Sequence, residues 1–306
     1  MKRCARRSCM QNGFSLVELL IAMAISLVML GAILSIYQGT TAAGKQSDTV
    51  TRMGEDATIA LDTLARHIRM AGYSQPVFMA PRNPATFQGQ TVEQTDSNLA
   101  GAGLRGCDLG FSNTAATWDS LACATTSTNA DAIAVRYEGD TFNTDPITAG
   151  TDKNASDCLS QGVEKTTASA VTGGPQYALV ESRFFIADKS LKCAGNGNAS
   201  FTAQPLVSGV ELMRLRYGIA KDITAGQVIG FATAAEVSAL GGSADQNWGR
   251  VVAVRICIQM VSTNEDQVKA VPFHNCDGVL TTPTDTYLHR TFSTTVSLRS
   301  RAGIAQ

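Results

Sequence analysis

Little in this 306-residue chain offers catalytic or metal chemistry. Its three histidines, His67, His274 and His289, have no ligand spacing between them, and no cysteine pair follows the C-x-x-C pattern that metal and redox sites favour. No Ser-His-Asp grouping stands out, so no nucleophilic enzyme suggests itself. Basic charge is scarce too. Lys and Arg total 25 against 26 Asp and Glu, and four of the basic residues precede Gly13, which leaves 21 basic residues and a net charge of −5 beyond it. That balance argues against a phosphate-binding surface, and no nucleic-acid partner is expected. Gly101-Ala102-Gly103-Leu104-Arg105-Gly106 matches G-x-G-x-x-G in letters only. A dinucleotide site needs a buried strand before that loop and a helix after it, whereas residues 94–100 are polar and Cys107-Asp108 follow. Asp152, Asn154 and Asp157 lack the glycine and closing glutamate of an EF-hand and read as a solvated loop. No cofactor or metal is expected.

What the chain does have is one apolar run. Leu16 to Leu34 is interrupted only by Glu18, Ser26 and Gly31, and about 20 apolar residues span a bilayer core. Lys2, Arg3, Arg6 and Arg7 lie ahead of it and the next basic residue is Lys45, which predicts a single pass with the N-terminus inside and the bulk outside. A secretory signal shares that layout, with Thr41-Ala42-Ala43 as its cleavage site. This run, however, is longer than the usual 7–15 residues and carries an acid. Cys4 and Cys9 precede the run, which excludes a lipoprotein. A charge near the middle of a membrane helix costs about 2.5–3.5 kcal/mol, so Glu18 demands a partner.

Gly13-Phe14-Ser15-Leu16-Val17-Glu18 and the apolar helix behind them resemble the class III leader of type IV pilins and pseudopilins. The resemblance implies that a prepilin peptidase/methyltransferase cuts on the cytoplasmic side after Gly13 and N-methylates Phe14. It also supplies the partner of Glu18: the α-amine of an adjacent subunit, cationic at neutral pH, which draws the incoming helix into register. Methylation keeps that charge.

Further along, Val50, Met53, Ala57, Leu61, Leu64, Ile68 and Ala71 recur at spacings of three and four, with Arg52, Glu55, Asp56, Asp62, Arg66 and Arg69 mostly between them. This predicts an amphipathic half-helix ending near Gly72, continuous with the apolar half over 14–71. Gly31, Gly39 and Gly44 weaken it locally, and a flexible linker over 38–49 is the alternative. His67, on this helix, reads as a solvated or boundary residue. The expected division is leader 1–13, helix 14–72 and head 73–306.

The head has the marks of an exported domain. Cys107, Cys123, Cys158, Cys193, Cys257 and Cys276 form an even set suited to an oxidising compartment, and six cysteines allow fifteen connectivities. The simplest is sequential, because each such pair brackets a polar loop and closes a short ring. Strands are expected over Asp131–Glu138, Ala178–Ile186, Glu211–Tyr217, Val252–Met260 and Phe292–Leu298. In the second of these Val180, Phe184 and Ile186 alternate with Glu181 and Arg183, and in the fourth Val252, Val254, Ile256, Ile258 and Met260 oppose Arg255 and Gln259. Polar stretches over 85–130, 140–175 and 193–204 read as loops. The fold class is α+β, pilin-like: a long N-terminal helix whose amphipathic half packs on an antiparallel β-sheet head.

Four segments narrow the resemblance to PilW-type minor pilins: Asp62 to Tyr73, Val210 to Gly218, the strand beginning near Trp248, and Phe292 to Arg301. That likeness implies a minor pilin that initiates and primes a type IV pilus within a tip complex. Its partners would be other minor pilins, the major pilin, a tip adhesin and the inner membrane before assembly. A J-type minor pseudopilin of a type II secretion system is the alternative. A tethered or secreted enzyme is the third reading, and it lacks a catalytic constellation.

Overall fold

A computed structural model describes residues 15–77, 86–87, 90–91, 96–97, 99, 101–126, 130–144, 155–167, 176–197, 201–264, 269–298 and 300. The chain divides into two units, up to Thr51 and from Arg52 onward. That boundary falls inside the first helix, α1 (Leu16–Met70).

In the first unit α1 runs unbroken through Gly31, Gly39 and Gly44, so helix continues where a linker was the alternative. The hydroxyls of Thr40 and Thr41 donate to carbonyls three and four residues back, Thr40 to Ile36 and Tyr37, Thr41 to Tyr37 and Gln38. These hydroxyls find their partners on the helix's own backbone, a bonding that weakens a helix slightly without ending it.

In the second unit α1 buries Met53, Ala57, Ala60, Leu64, Ala65, His67 and Ile68, with Ala71 just beyond. The stripe follows the expected spacing, although Val50 and Leu61 are only half-buried. Gly72, at φ 75°, ends the helix. A left-handed residue there is cheap only for glycine. Its N–H donates to the Arg136 carbonyl at 2.9 Å, tying the helix end to the sheet.

The head contains two main antiparallel sheets where the sequence suggested one. The first comprises β1 (Leu104–Cys107), β2 (Ala132–Gly139), β3 (Lys165–Thr167), β4 (Gln176–Ala187), β5 (Ser190–Gly195) and β6 (Ala203–Ser208), in the order β6-β5-β4-β2-β1, with β3 also pairing β4. The second comprises β7 (Val210–Ile219), β8 (Gly230–Ala232), β9 (Val251–Val261) and β10 (His289–Ser297), in the order β8-β7-β9-β10. Asp131 links them: its N–H donates to the Met213 carbonyl at 2.9 Å and its Oδ2 accepts the Leu215 N–H at 2.6 Å. Between β8 and β9 lie α2 (Ala234–Ser238) and α3 (Ala244–Gly249), with Trp248 inside α3 and not on the strand. Each has a capping box, Thr233 with Glu236 and Ser243 with Gln246. That S/T-x-x-E/Q spacing was a readable signal which the sequence reading passed over.

On β9 the expected face, Val252, Val254, Ile256, Ile258 and Met260, is buried while Arg255 is exposed. On β4 the expectation fails. Arg183 is fully buried and Glu181 nearly so, because the sheet is covered on both faces. The Arg183 guanidinium donates to Glu181 and to the Thr114 carbonyl and lies 3.8 Å from the Phe201 ring centroid. Segments around Thr114 and Phe201, read from sequence as polar loops, therefore form part of the core's cover.

Three disulfides join Cys107 to Cys123, Cys158 to Cys193 and Cys257 to Cys276, with sequence separations of 16, 35 and 19. One cysteine of each pair sits on a strand, β1, β5 or β9, and its partner on an adjoining segment outside the main sheets. Closing rings of this size stabilises a fold by roughly 3–4 kcal/mol each on chain-entropy grounds.

Candidate functional site

The N-terminal turn of α1 holds the residue singled out by its cost in a membrane. Glu18 lies in the first helical turn, and its Oε2 accepts the Ser15 N–H at 3.0 Å. The position is favourable, since the positive end of the helix dipole attracts an acid and Ser15 otherwise has an unpaired donor. Gly13 and Phe14 lie outside the described residues.

From Leu16 to Tyr37, fifteen large apolar side chains are each 51–76% exposed. The one described hydroxyl in the middle of this surface, on Ser26, donates to the Ala22 carbonyl at 2.7 Å. The helix thus offers a lipid-like medium an apolar surface with its backbone and hydroxyl groups bonded within the helix, the condition for crossing a bilayer. It is the one described helix long and apolar enough to do so.

Within the head, the residues weighed as ligands have structural employment. His67 is buried, contrary to the solvated reading: its Nδ1 is 3.1 Å from the Tyr137 hydroxyl and its ring 5.2 Å from that of Phe184. Those two partners, on β2 and β4, seat α1 on the first sheet. Burial, with Arg66 beside it, lowers the imidazole from 6.5 to about 4. His289 is packed between two carboxylates, Nδ1 3.1 Å from Glu211 and Nε2 2.8 Å from Asp285, with Phe273 stacked on its ring. The two acids occupy opposite ring nitrogens and so cannot share one metal ion. Hydrogen bonding to His289 holds Asp285 below the usual carboxylate range. His274 is exposed, its Nδ1 3.3 Å from the Gly278 carbonyl.

Asp157, read as solvated, is buried; its Oδ1 accepts the N–H groups of Leu159 and Gln161, and its Oδ2 that of Gly197 at 2.7 Å. Asp152 and Asn154 lie outside the described residues. The Gly101 to Gly106 loop opens strand β1 instead of a helix, and Gly103 returns its carbonyl to the Arg136 N–H at 2.8 Å. A Cβ at Gly103 would meet the Gly72 backbone at 2.4 Å. These glycines serve close packing at the helix end. Among the described residues no His, Cys, Asp and Glu group is arranged to hold a metal.

The chemistry on display is therefore that of surfaces: an exposed apolar helix carrying one acid in its first turn, followed by a disulfide-stapled head. Residues 9–34 match the prokaryotic N-terminal methylation motif and residues 176–300, which hold β4 to β10, match the type IV pilus-assembly protein W family. Among solved structures, a type IV-like pilin from Thermus thermophilus is similar, with 11% identity and a TM-score of 0.40 over 82% of this chain and 99% of that one. No curated protein matches. The methylation motif, the exposed apolar helix and a head that matches the PilW family over residues 176–300 thus occur together in one chain.

Proposed function

We propose that this chain is a minor pilin that helps initiate and prime a type IV pilus, within a tip complex of minor pilins. A prepilin peptidase removes residues 1–13, Phe14 is methylated, and the Phe14 amine and Glu18 provide the two charges of an intersubunit pair. Before assembly the protein spans the inner membrane once with the head outside; afterwards the apolar helix joins the filament core. The observation that carries the reading is the methylation motif over residues 9–34, running into a helix whose large apolar side chains from Leu16 to Tyr37 are all exposed. Such a surface must be covered by lipid or by other helices, and a processed pilin moves from one to the other. The acid is affordable in the filament because an adjacent subunit's amine neutralises it, whereas alone in lipid it is costly.

Mass spectrometry of the membrane-extracted protein tests this first: the expected mature chain begins with N-methylated Phe14. An intact Met1, or a start after Ala43, would overturn it. Deleting the gene then separates the pilus from a type II secretion system. Pilus counts should fall with exoprotein release intact, and the reverse pattern would assign the chain to a pseudopilus.

A further inference from the structure

Just past β5 the packing imposes a chemical liability. Asn196 continues the bonding of β5 to β4: its N–H donates to the Glu181 carbonyl at 3.1 Å, its Oδ1 accepts the Glu181 N–H at 2.9 Å and its Nδ2 donates to the Leu179 carbonyl at 2.7 Å. A carboxamide carries, side by side, the acceptor and the donor that these two backbone groups require. Gly197 follows and is buried. A Cβ there would lie 2.4 Å from the Gln161 Cβ and 2.7 Å from Asp157 Oδ2, so no side chain fits. The fold thus calls for asparagine and then glycine.

That pair is the one most prone to deamidation, because glycine leaves ring closure unhindered. The Gly197 nitrogen bonds to Asn196 Cγ, the carboxamide nitrogen leaves as ammonia with the Gly197 proton, and water opens the succinimide to isoaspartate or aspartate. The folded head opposes each part of this. Leu179 and Glu181 hold the carboxamide at both ends. The Gly197 N–H donates to Asp157 Oδ2 at 2.7 Å, so removing its proton would set a second negative charge against a buried carboxylate. Asp157 is itself fixed, its Oδ1 by the N–H groups of Leu159 and Gln161. The next residue, Cys158, donates its N–H to Ser182 Oγ at 3.2 Å and is bonded through its sulfur to Cys193 on β5. The disulfide therefore ties the shielding carboxylate to the strand beside it.

We propose that Asn196 is a deamidation site which the Cys158–Cys193 disulfide keeps closed, so that a head lacking this bond is marked irreversibly at the end of β5. Either product sets a carboxylate oxygen against the Leu179 carbonyl where a donor stood, and isoaspartate also lengthens the backbone by a methylene. The site belongs to the head alone and does not depend on the pilin reading. Peptide mass spectrometry of the purified full-length protein at mildly alkaline pH tests it, with the same protein in urea as the unprotected reference. Hydrogen exchange of the β9 amides, followed alongside, shows whether the rest of the head stays folded. Oxidised wild type should convert at Asn196 roughly tenfold or more slowly than the reference. The double variant Cys158→Ser, Cys193→Ser should approach the reference rate. Asp157→Asn, with the disulfide intact, should convert roughly tenfold faster than wild type. In both variants the β9 amides should stay protected. Oxidised wild type converting at the urea rate overturns the proposal, as does either variant remaining as slow as wild type. Acceleration only where β9 protection is also lost overturns it too, since global unfolding and not the disulfide would then be the gate.

Discussion

The two halves of α1 use the same helical geometry for opposite ends. From Leu16 to Tyr37 apolar side chains surround the helix and stay exposed. From Met53 to Ala71 the buried positions form one stripe, and four of them are alanine. A helix that is apolar all round must be covered by lipid or other helices, whereas a stripe of small residues is satisfied by a single sheet. The first half is therefore built for partners outside the chain and the second for the head, and the composition of each half reports which.

Processing should have the largest effect on that division. Gly13→Phe should leave only full-length precursor on immunoblots, because a bulky residue cannot occupy the cleavage position, and normal maturation of the variant would sink the assignment. Next, Glu18→Ala should mature normally yet give several-fold fewer filaments; wild-type filament numbers would refute its register role. Truncation of a leucine should then separate the halves energetically. Leu64→Ala, in the buried stripe, should cost head unfolding about 2–5 kcal/mol. Leu27→Ala, 70% exposed, should cost it nothing measurable in urea melts of the detergent-solubilised protein. Equal effects would erase the distinction.

The smallest expected effect is a pH dependence. His67 is held near 4 in the folded head, against an ordinary 6.5. The unfolded chain therefore takes up the extra proton first, and this residue's contribution to stability declines as pH falls from 6.5 to 4, by up to about 3 kcal/mol. Asp131 acts oppositely. Burial raises it from 3.8 to about 6, against the Leu215 N–H and Arg214, so its burial costs stability above pH 6 and that cost is relieved as pH falls through 6 toward 3.8. The His67 contribution should appear as the difference between wild type and His67→Leu in urea unfolding at stepped pH, widening in the variant's favour toward pH 4. A constant difference would refute it.

Much of this architecture was legible in the residues. The nineteen residues from Leu16 to Leu34, the stripe through Met53, Ala57, Leu64 and Ile68, and the glycine stop at 72 are local signals, carried by composition and by a 3.6-residue period. The alternation on β9 is local too, because one of its faces is solvated at Arg255. Where both faces of a strand are buried, alternation loses its meaning, as at Glu181 and Arg183 on β4.

By itself, then, the sequence determined the long helix, the separation of its apolar and amphipathic halves and the β-rich head, since each follows from neighbours along the chain. Only the tertiary structure decided that the strands divide into two sheets, that Arg183 and His67 lie inside, and that Asp131 joins the sheets. These depend on which distant segments cover which faces. A burial pattern along one strand cannot report a cover supplied from 69 residues away, as Thr114 supplies it to Arg183.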